Sequence, residues 1–152
     1  MNIQIENKQT KIKIQRCKIR STVRTLLNIM DCADKELSIS FVDDKTIKEL
    51  NKNYLQRDNS TNVLSFSLQE GKFGHINPNI LGDIVISAET AQRDAIISNL
   101  SLSEEIDFLI IHGLLHLLGF NHENTTKAQT TKMQMKEKEL FLILNFDKSN
   151  ID

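Results

Sequence analysis

Hydrophobic residues recur along the chain with two different periods, which predict short strands interleaved with helices. Residues 1–6 alternate isoleucine with polar residues, as a half-buried strand does. Residues 38–42, 62–68 and 81–87 are also strand-like. A first helix is predicted from an apolar stripe with helical spacing, formed by Ile19, Val23, Leu26, Leu27 and Met30.

Capping residues predict where the later helices begin. Asp43 and Asp44 precede an apolar periodic segment, so acidic residues open the second helix. Ser87 is suited to cap a third helix. Ser101 and Glu104 have the spacing of a capping box, which predicts the start of a fourth.

The fourth helix is predicted to lie in the core. Nine of the thirteen residues at 106–118 are large aliphatics or Phe, and Gly119 is suited to end the helix. A last amphipathic helix covers the C-terminal part. The predicted fold is α+β, with a mixed β-sheet packed with helices, in a single domain spanning 1–152. The apolar positions of the last helix include Met133, Met135, Leu140, Phe141 and Leu144.

Composition excludes several classes of protein. The net charge is −1, so affinity for nucleic acid requires an uneven placement of charge. Cys17 and Cys32 form no CxxC pair, which argues against a disulfide framework or a thiolate zinc site and predicts two buried small hydrophobes. Residues 1–13 carry no signal-peptide pattern, and the apolar stretch at 108–118 is too short to span a membrane. We therefore expect a cytoplasmic protein without membrane contact.

Three of the four histidines fall within residues 112–122, HGLLHLLGFNH. His112 and His116 are one helical turn apart, so both imidazoles can reach one ion at about 2.0–2.1 Å. Gly119 tolerates a left-handed backbone, which lets His122 fold back to the same ion. Three imidazoles with a fourth position left to solvent are typical of catalytic zinc. The motif predicts one Zn²⁺ ion, held by the buried helix and the loop after it.

Two other interpretations of these histidines are open. His112 and His116 could be core histidines, but a pair in register followed by a glycine and a third histidine favours a metal site. The spacing also matches HExxHxxGxxH of the metzincin peptidases, whose glutamate is the general base. Gly113 replaces that glutamate, so the pattern favours stabilising charge on phosphate over peptide hydrolysis.

The motif HGLLHLLGFNH resembles that of the YbeY family of single-zinc endoribonucleases. Two segments agree in the same order: FVDD, an ELN helix and TNVLSF at 41–66, and LGDIVIS at 81–87. The resemblance implies a mixed α/β fold and zinc held by His112, His116 and His122. It also implies cleavage of single-stranded RNA in ribosomal RNA processing, small-subunit maturation and ribosome quality control, with ribosomal RNA and the ribosome or its proteins as partners.

Two positions depart from the family pattern. The family usually has an arginine directly after the tyrosine of the second segment, where this chain has Leu55 after Tyr54. Arg57 is the candidate for the missing catalytic cation, and a solvated loop arginine is the alternative. Asn121 stands where relatives usually have aspartate, which keeps metal ligation but removes a carboxylate beside the ion.

Two further features each have two interpretations. Asp83 is expected to hydrogen-bond a neighbouring loop, with a role behind a zinc-bound histidine as the alternative. Seven basic residues lie close together at 8–24 without an intervening Asp or Glu, which predicts either an RNA-binding surface or a solvated helix face. They are Lys8, Lys11, Lys13, Arg16, Lys18, Arg20 and Arg24.

The sequence thus predicts a zinc-dependent endoribonuclease, and two rival functions remain. The first is a zinc metallopeptidase-like hydrolase, which would cleave unstructured protein substrates. The second is a non-catalytic zinc protein associated with the ribosome, which would bind RNA without cleaving it.

Overall fold

The alternating apolar residues form one mixed four-stranded sheet. The structure, a computed structural model, describes residues 2–55, 61–67, 79–120 and 126–149. Across the sheet the strand order is β1-β2-β4-β3; the first three of these are parallel, and β3 runs antiparallel to β4. This confirms the predicted α+β class with a mixed sheet. The strands are β1 (Ile3–Asn7), β2 (Glu36–Val42), β3 (Val63–Ser67) and β4 (Ile80–Ser87).

The predicted caps open three of the helices in the described ranges. Asp43 Oδ1 accepts a hydrogen bond from the Thr46 N–H at 2.8 Å. Ser87 caps the third helix through the Thr90 N–H, and Ser101 with Glu104 forms a complete capping box for the fourth. The helices are α1 (Arg16–Ile29), α2 (Asp44–Leu55), α3 (Ala88–Ile97), α4 (Leu102–Leu117) and α5 (Lys127–Ser149).

The main core lies between one face of the sheet and helices α1, α4 and α5. Ile84 and Ile86 of β4 belong to it together with Leu114 of α4. Because side chains alternate along a strand, Val85 points to the opposite face, where it joins Ile47 of α2 in a smaller cluster. Helix α4, apolar nearly all round, is therefore buried between the sheet and the other helices.

One sequence prediction about burial is wrong, and one apolar position of the last helix lies outside the core. Cys17 is exposed on α1 because it lies two positions before Ile19, about 200° round the helix from the apolar stripe. Met135 is 68% exposed for the same reason, being two positions after the buried Met133. Cys32 is buried as predicted, and burial raises the pKa of its thiol.

Two predictions at the level of the whole chain have different outcomes. In the described ranges, no helix combines the length and the apolar character needed to cross a bilayer. The single domain over 1–152 stays a prediction.

Candidate metal centre

Two of the three predicted ligands meet on the last turns of α4. The Nε2 atoms of His112 and His116 lie 3.1 Å apart, and their ring planes are inclined at 74°. Both rings are partly exposed, while the neighbouring Ile111 and Leu115 are fully buried. The helical period therefore directs the two imidazoles to one spot at the edge of the core, as the spacing of the histidines predicts.

Gly113 holds this part of α4 close against the sheet. A Cβ atom at position 113 would lie 3.0 Å from Ile84 Cγ2 and 3.1 Å from Ser65 Oγ, closer than ordinary van der Waals contact. The Ser65 hydroxyl donates a hydrogen bond to the Gly113 carbonyl at 3.2 Å. A glutamate at this position, as in a peptidase motif, would require Ile84 and Ser65 to shift, which gives a structural reason to disfavour the metallopeptidase.

A carboxylate from α5 stands behind the histidine pair. Glu137 Oε2 lies 3.5 Å from His112 Nδ1, the ring nitrogen on the other side from the His116 contact. The Glu137 side chain is only 7% exposed. In metal sites, a carboxylate beside the second ring nitrogen fixes the tautomer and orientation of a ligating histidine. Glu137 has the placement for this role.

The end of α4 turns sharply at Gly119, as predicted. Gly119 has a φ of +99°, a conformation that side-chain-bearing residues rarely adopt. The Phe120 N–H donates to the Leu115 carbonyl at 2.9 Å, and the Gly119 N–H donates to the His116 carbonyl at 3.1 Å, which satisfies the last carbonyls of the helix. The chain thus leaves the helix immediately after the histidine pair.

The remaining predicted site residues lie outside the described ranges. These are the third ligand His122, its neighbour Asn121 and the candidate cation Arg57. In the part of the chain that the structure describes, no group of three His, Cys, Asp or Glu side chains is arranged to hold a metal ion. The ligand set and the role of Arg57 stay predictions.

The structure separates Asp83 from the histidines. Asp83 lies two residues before Val85 on β4, so the two side chains point to the same face of the sheet, the one opposite α4. Asp83 is exposed there. It is therefore not the partner of His112. Sequence reasoning missed Glu137, although a signal was present: the residue falls four positions after Met133 and three before Leu140, on the buried face of α5.

Comparison with known proteins shows the family to which the chain belongs. A family model described as Endoribonuclease YbeY matches residues 4–145. The chain belongs to this family. The family resemblance expected from the motif is thereby confirmed, and neither rival function is favoured.

Several relatives and one solved structure extend this comparison. The chain is 55% identical over 145 residues to Endoribonuclease YbeY of Syntrophus aciditrophicus (strain SB), which covers 95% of this chain and 91% of the relative. It is 45% identical over 139 residues to Endoribonuclease YbeY of Syntrophotalea carbinolica, covering 91% and 93%. The solution structure of TM1509 from Thermotoga maritima matches with a TM-score of 0.67 and 24% identity, over 98% of this chain and 93% of that one. That likeness shows the fold.

Proposed function

We propose that this protein is a zinc-dependent endoribonuclease that cleaves single-stranded RNA. His112, His116 and His122 hold one zinc ion, and Arg57 stabilises charge at the scissile phosphate. The proposal is supported by membership of the YbeY endoribonuclease family and by the geometry of the histidine pair.

The single observation that carries the proposal is the distance between the two Nε2 atoms. Two nitrogens bound to one tetrahedral zinc, each at about 2.0–2.1 Å, lie roughly 3.3 Å apart. The Nε2 atoms of His112 and His116 are 3.1 Å apart. The pair therefore fits a shared zinc ion with little rearrangement, and His122, six residues later, can supply a third ligand.

The residues around the pair have separate tasks. When bound, zinc would supply a Lewis acid for negative charge developing on a phosphoryl oxygen. Glu137 orients His112 through its Nδ1 atom. Ser65 and Gly113 hold α4 at a fixed height above the sheet. Arg57 would contact the phosphate as a positioned cation.

We further propose that the substrate is ribosomal RNA. On this proposal the protein acts in the cytoplasm during small-subunit maturation and ribosome quality control. Ribosomal RNA and the ribosome or its proteins would then be its partners.

A cleavage assay tests the function directly. Highly purified wild-type protein is incubated with single-stranded and duplex RNA beside His116→Ala, and the zinc content of each preparation is measured. We expect wild type to hold about one zinc per chain and to cleave the single strand, and His116→Ala to lose most of both. The matched control, His75→Ala, removes a histidine outside the motif and retains both. Equal cleavage by wild type and His116→Ala would assign the activity to a contaminant and contradict the proposal.

The role of Arg57 is tested in the same assay. We expect Arg57→Ala to slow cleavage by about 100-fold while zinc content is unchanged, because a cation aimed at developing charge acts on the chemical step. Leu55→Arg restores a cation at the family's usual position and should recover part of the rate in that background. Wild-type cleavage by Arg57→Ala, combined with faster cleavage by Leu55→Arg alone, would show that Arg57 is a solvated loop residue.

A further inference from the structure

An open groove with a cationic rim lies beside the end of α4. It occupies about 930 Å³ between Phe120 and the first turns of α5. We propose that this groove binds the backbone of single-stranded RNA, an inference that rests on the proposed endoribonuclease function. The side chains that carry the argument are Phe120, Lys127, Lys132, Met135, Lys136 and Glu139.

The charge of the groove is clearly positive. Among the residues that the structure describes, three lysines line it against one acidic residue. Lys136 Nζ lies 3.4 Å from Glu139 Oε2, whereas Lys127 and Lys132 have no acidic partner among the residues that the structure describes. Lys127 and Lys136 are nine positions apart, about 13 Å along the helix axis. A row of lysines over that length, one of them paired with Glu139, matches a polyanionic strand.

Folding alone does not explain Lys127. The first turn of α5 contains Lys127 and no acidic residue, although a cation at a helix N-terminus opposes the helix dipole. The helix end itself is satisfied, because Thr126 Oγ1 accepts from the Gln129 N–H and Gln129 Oε1 accepts from the Thr126 N–H. Lys127 therefore carries an electrostatic cost at this helix end, which a bound anion would offset.

The floor of the groove suits nucleobases. Phe120 is partly buried against the core, which fixes its position, and Met135 is 68% exposed. Proteins that bind single strands combine a cationic groove for the backbone with aromatic or apolar surfaces against which bases stack. Both features occur here on one short stretch of surface.

The groove approaches the proposed metal site only at its Phe120 end. Phe120 follows His116 by four residues, whereas Met135 and Glu139 each lie two positions from Glu137, about 200° round α5, so this part of the groove faces away from the histidine pair. The other cationic surface, around Lys18 on α1, shares a pocket with Ser103 at the start of α4. His112 follows Ser103 by nine positions, half a turn round the helix, so the α1 surface faces away from the pair. A strand that leaves the histidines past Phe120 can therefore enter the α5 groove at that end.

The experiment measures binding separately from cleavage. A labelled single-stranded 2′-O-methyl RNA of about twelve nucleotides, which lacks the 2′-hydroxyl, is titrated by fluorescence anisotropy across salt concentrations. The test variant changes Lys127, Lys132 and Lys136 to Gln. The control changes three exposed lysines of α2, Lys45, Lys48 and Lys52, to Gln, which alters net charge by the same amount. A charge-retaining variant changes the groove lysines to Arg.

We expect the groove variant to bind about tenfold more weakly than wild type at low salt. Its salt slope should be shallower by about 2, since three phosphate contacts on a single strand contribute roughly 0.7 each. The α2 control and the Arg variant should stay near wild type, and all four proteins should keep their zinc. If the groove variant binds RNA as tightly as wild type, the proposal is overturned. This is also the result expected if the groove binds a protein instead of RNA. An equal loss in the α2 control would also overturn the proposal.

Failure of this inference is distinguishable from failure of the proposed function. If wild type cleaves RNA in a zinc- and His116-dependent way while the groove variant binds normally, the function stands and the groove does not. If the groove variant binds weakly but wild type never cleaves RNA, the groove stands as an RNA-binding surface and the endonuclease does not.

Discussion

At the scale of single residues, the contact between Glu137 and His112 has the most specific consequence for the proposed zinc site. The carboxylate lies 3.5 Å from Nδ1 and is almost fully buried. Its nearest acidic neighbour on the helix, Glu139, is exposed and pairs with Lys136. Two glutamates only two positions apart thus serve different purposes, because one helical face is buried and the other is in water.

We expect Glu137→Gln to lower zinc affinity by about 10- to 100-fold, since an amide orients and polarises a ligating imidazole less well than a carboxylate. Competition with a chromogenic chelator measures the affinity. Glu139→Gln is the matched control and should bind zinc as wild type does. A Glu137→Gln protein with unaltered zinc affinity and a normal melting temperature would show that Glu137 is only a buried structural residue.

At the scale of secondary-structure elements, Asp44 joins the starts of α2 and α3. Its Oδ1 accepts hydrogen bonds from the Ser87 and Thr90 hydroxyls, each at 2.6 Å, and its Oδ2 pairs with Arg93 at 2.7 Å. Burial acts to raise the pKa of Asp44, but these hydrogen bonds and the Arg93 charge outweigh it and hold the pKa below its ordinary value. The ionised carboxylate therefore stabilises the folded state.

We expect Asp44→Asn to lower the free energy of unfolding at pH 7 by about 2 kcal/mol, because hydrogen bonds to a charged acceptor are lost. A group whose pKa is depressed on folding stabilises the protein above its unfolded-state pKa, near 3.9, and loses that contribution as pH falls through its folded-state pKa. The difference between variant and wild type should therefore be full at pH 7 and shrink below about pH 4. Urea unfolding across pH measures it. The exposed Asp34→Asn is the control, and a pH-independent difference would contradict this account.

Also at the scale of elements, several side chains of the basic segment at 8–24 have partners in the folded protein. Lys8 pairs with Glu6 and Lys11 with Glu89, each at 3.3 Å. Arg20 donates to the Ile3 carbonyl at 2.6 Å and so ties α1 to β1. The cationic surface is therefore smaller than the run of basic residues indicates, because Glu6 just before the run and Glu89 from a distant part of the chain lie beside two of its lysines. Its role in binding RNA stays a prediction.

At the scale of the whole molecule, the core does not depend on the metal for its packing. Helix α4 contributes fully buried residues such as Ile110 and Leu114, which pack against the sheet and neighbouring helices. The histidines lie at the edge of this core, so the domain should remain folded without zinc.

We expect removal of zinc to lower the melting temperature by about 5–10 °C without loss of helical signal, since zinc at about 100 times its Kd stabilises by roughly 2.7 kcal/mol. Circular dichroism melts of wild type with zinc and after chelation measure this shift. His116→Ala should melt at one temperature in both conditions. Collapse of the far-ultraviolet signal on chelation would mean that the metal holds the fold together.

The sequence by itself determined the features that depend on neighbours within about one helical turn. Helix starts at Asp43, Ser87 and Ser101 follow from capping bonds between residues three apart. The turn at Gly119 follows from a backbone conformation that glycine adopts readily. The approach of His112 to His116 follows from the helical period, so the histidine pair was predictable without a structure.

Only the tertiary structure decided what lies around that pair. The strand order β1-β2-β4-β3, the contact of Ser65 with Gly113 and the placement of Glu137 behind His112 all join segments far apart in the chain. Local periodicity indicates that a side chain is buried, but it does not indicate which distant element packs against it. Glu137 could be recognised as a charge on an apolar face, yet its partner depended on how α5 packs against α4. Asp83 was excluded as that partner only when the sheet showed which face it occupies.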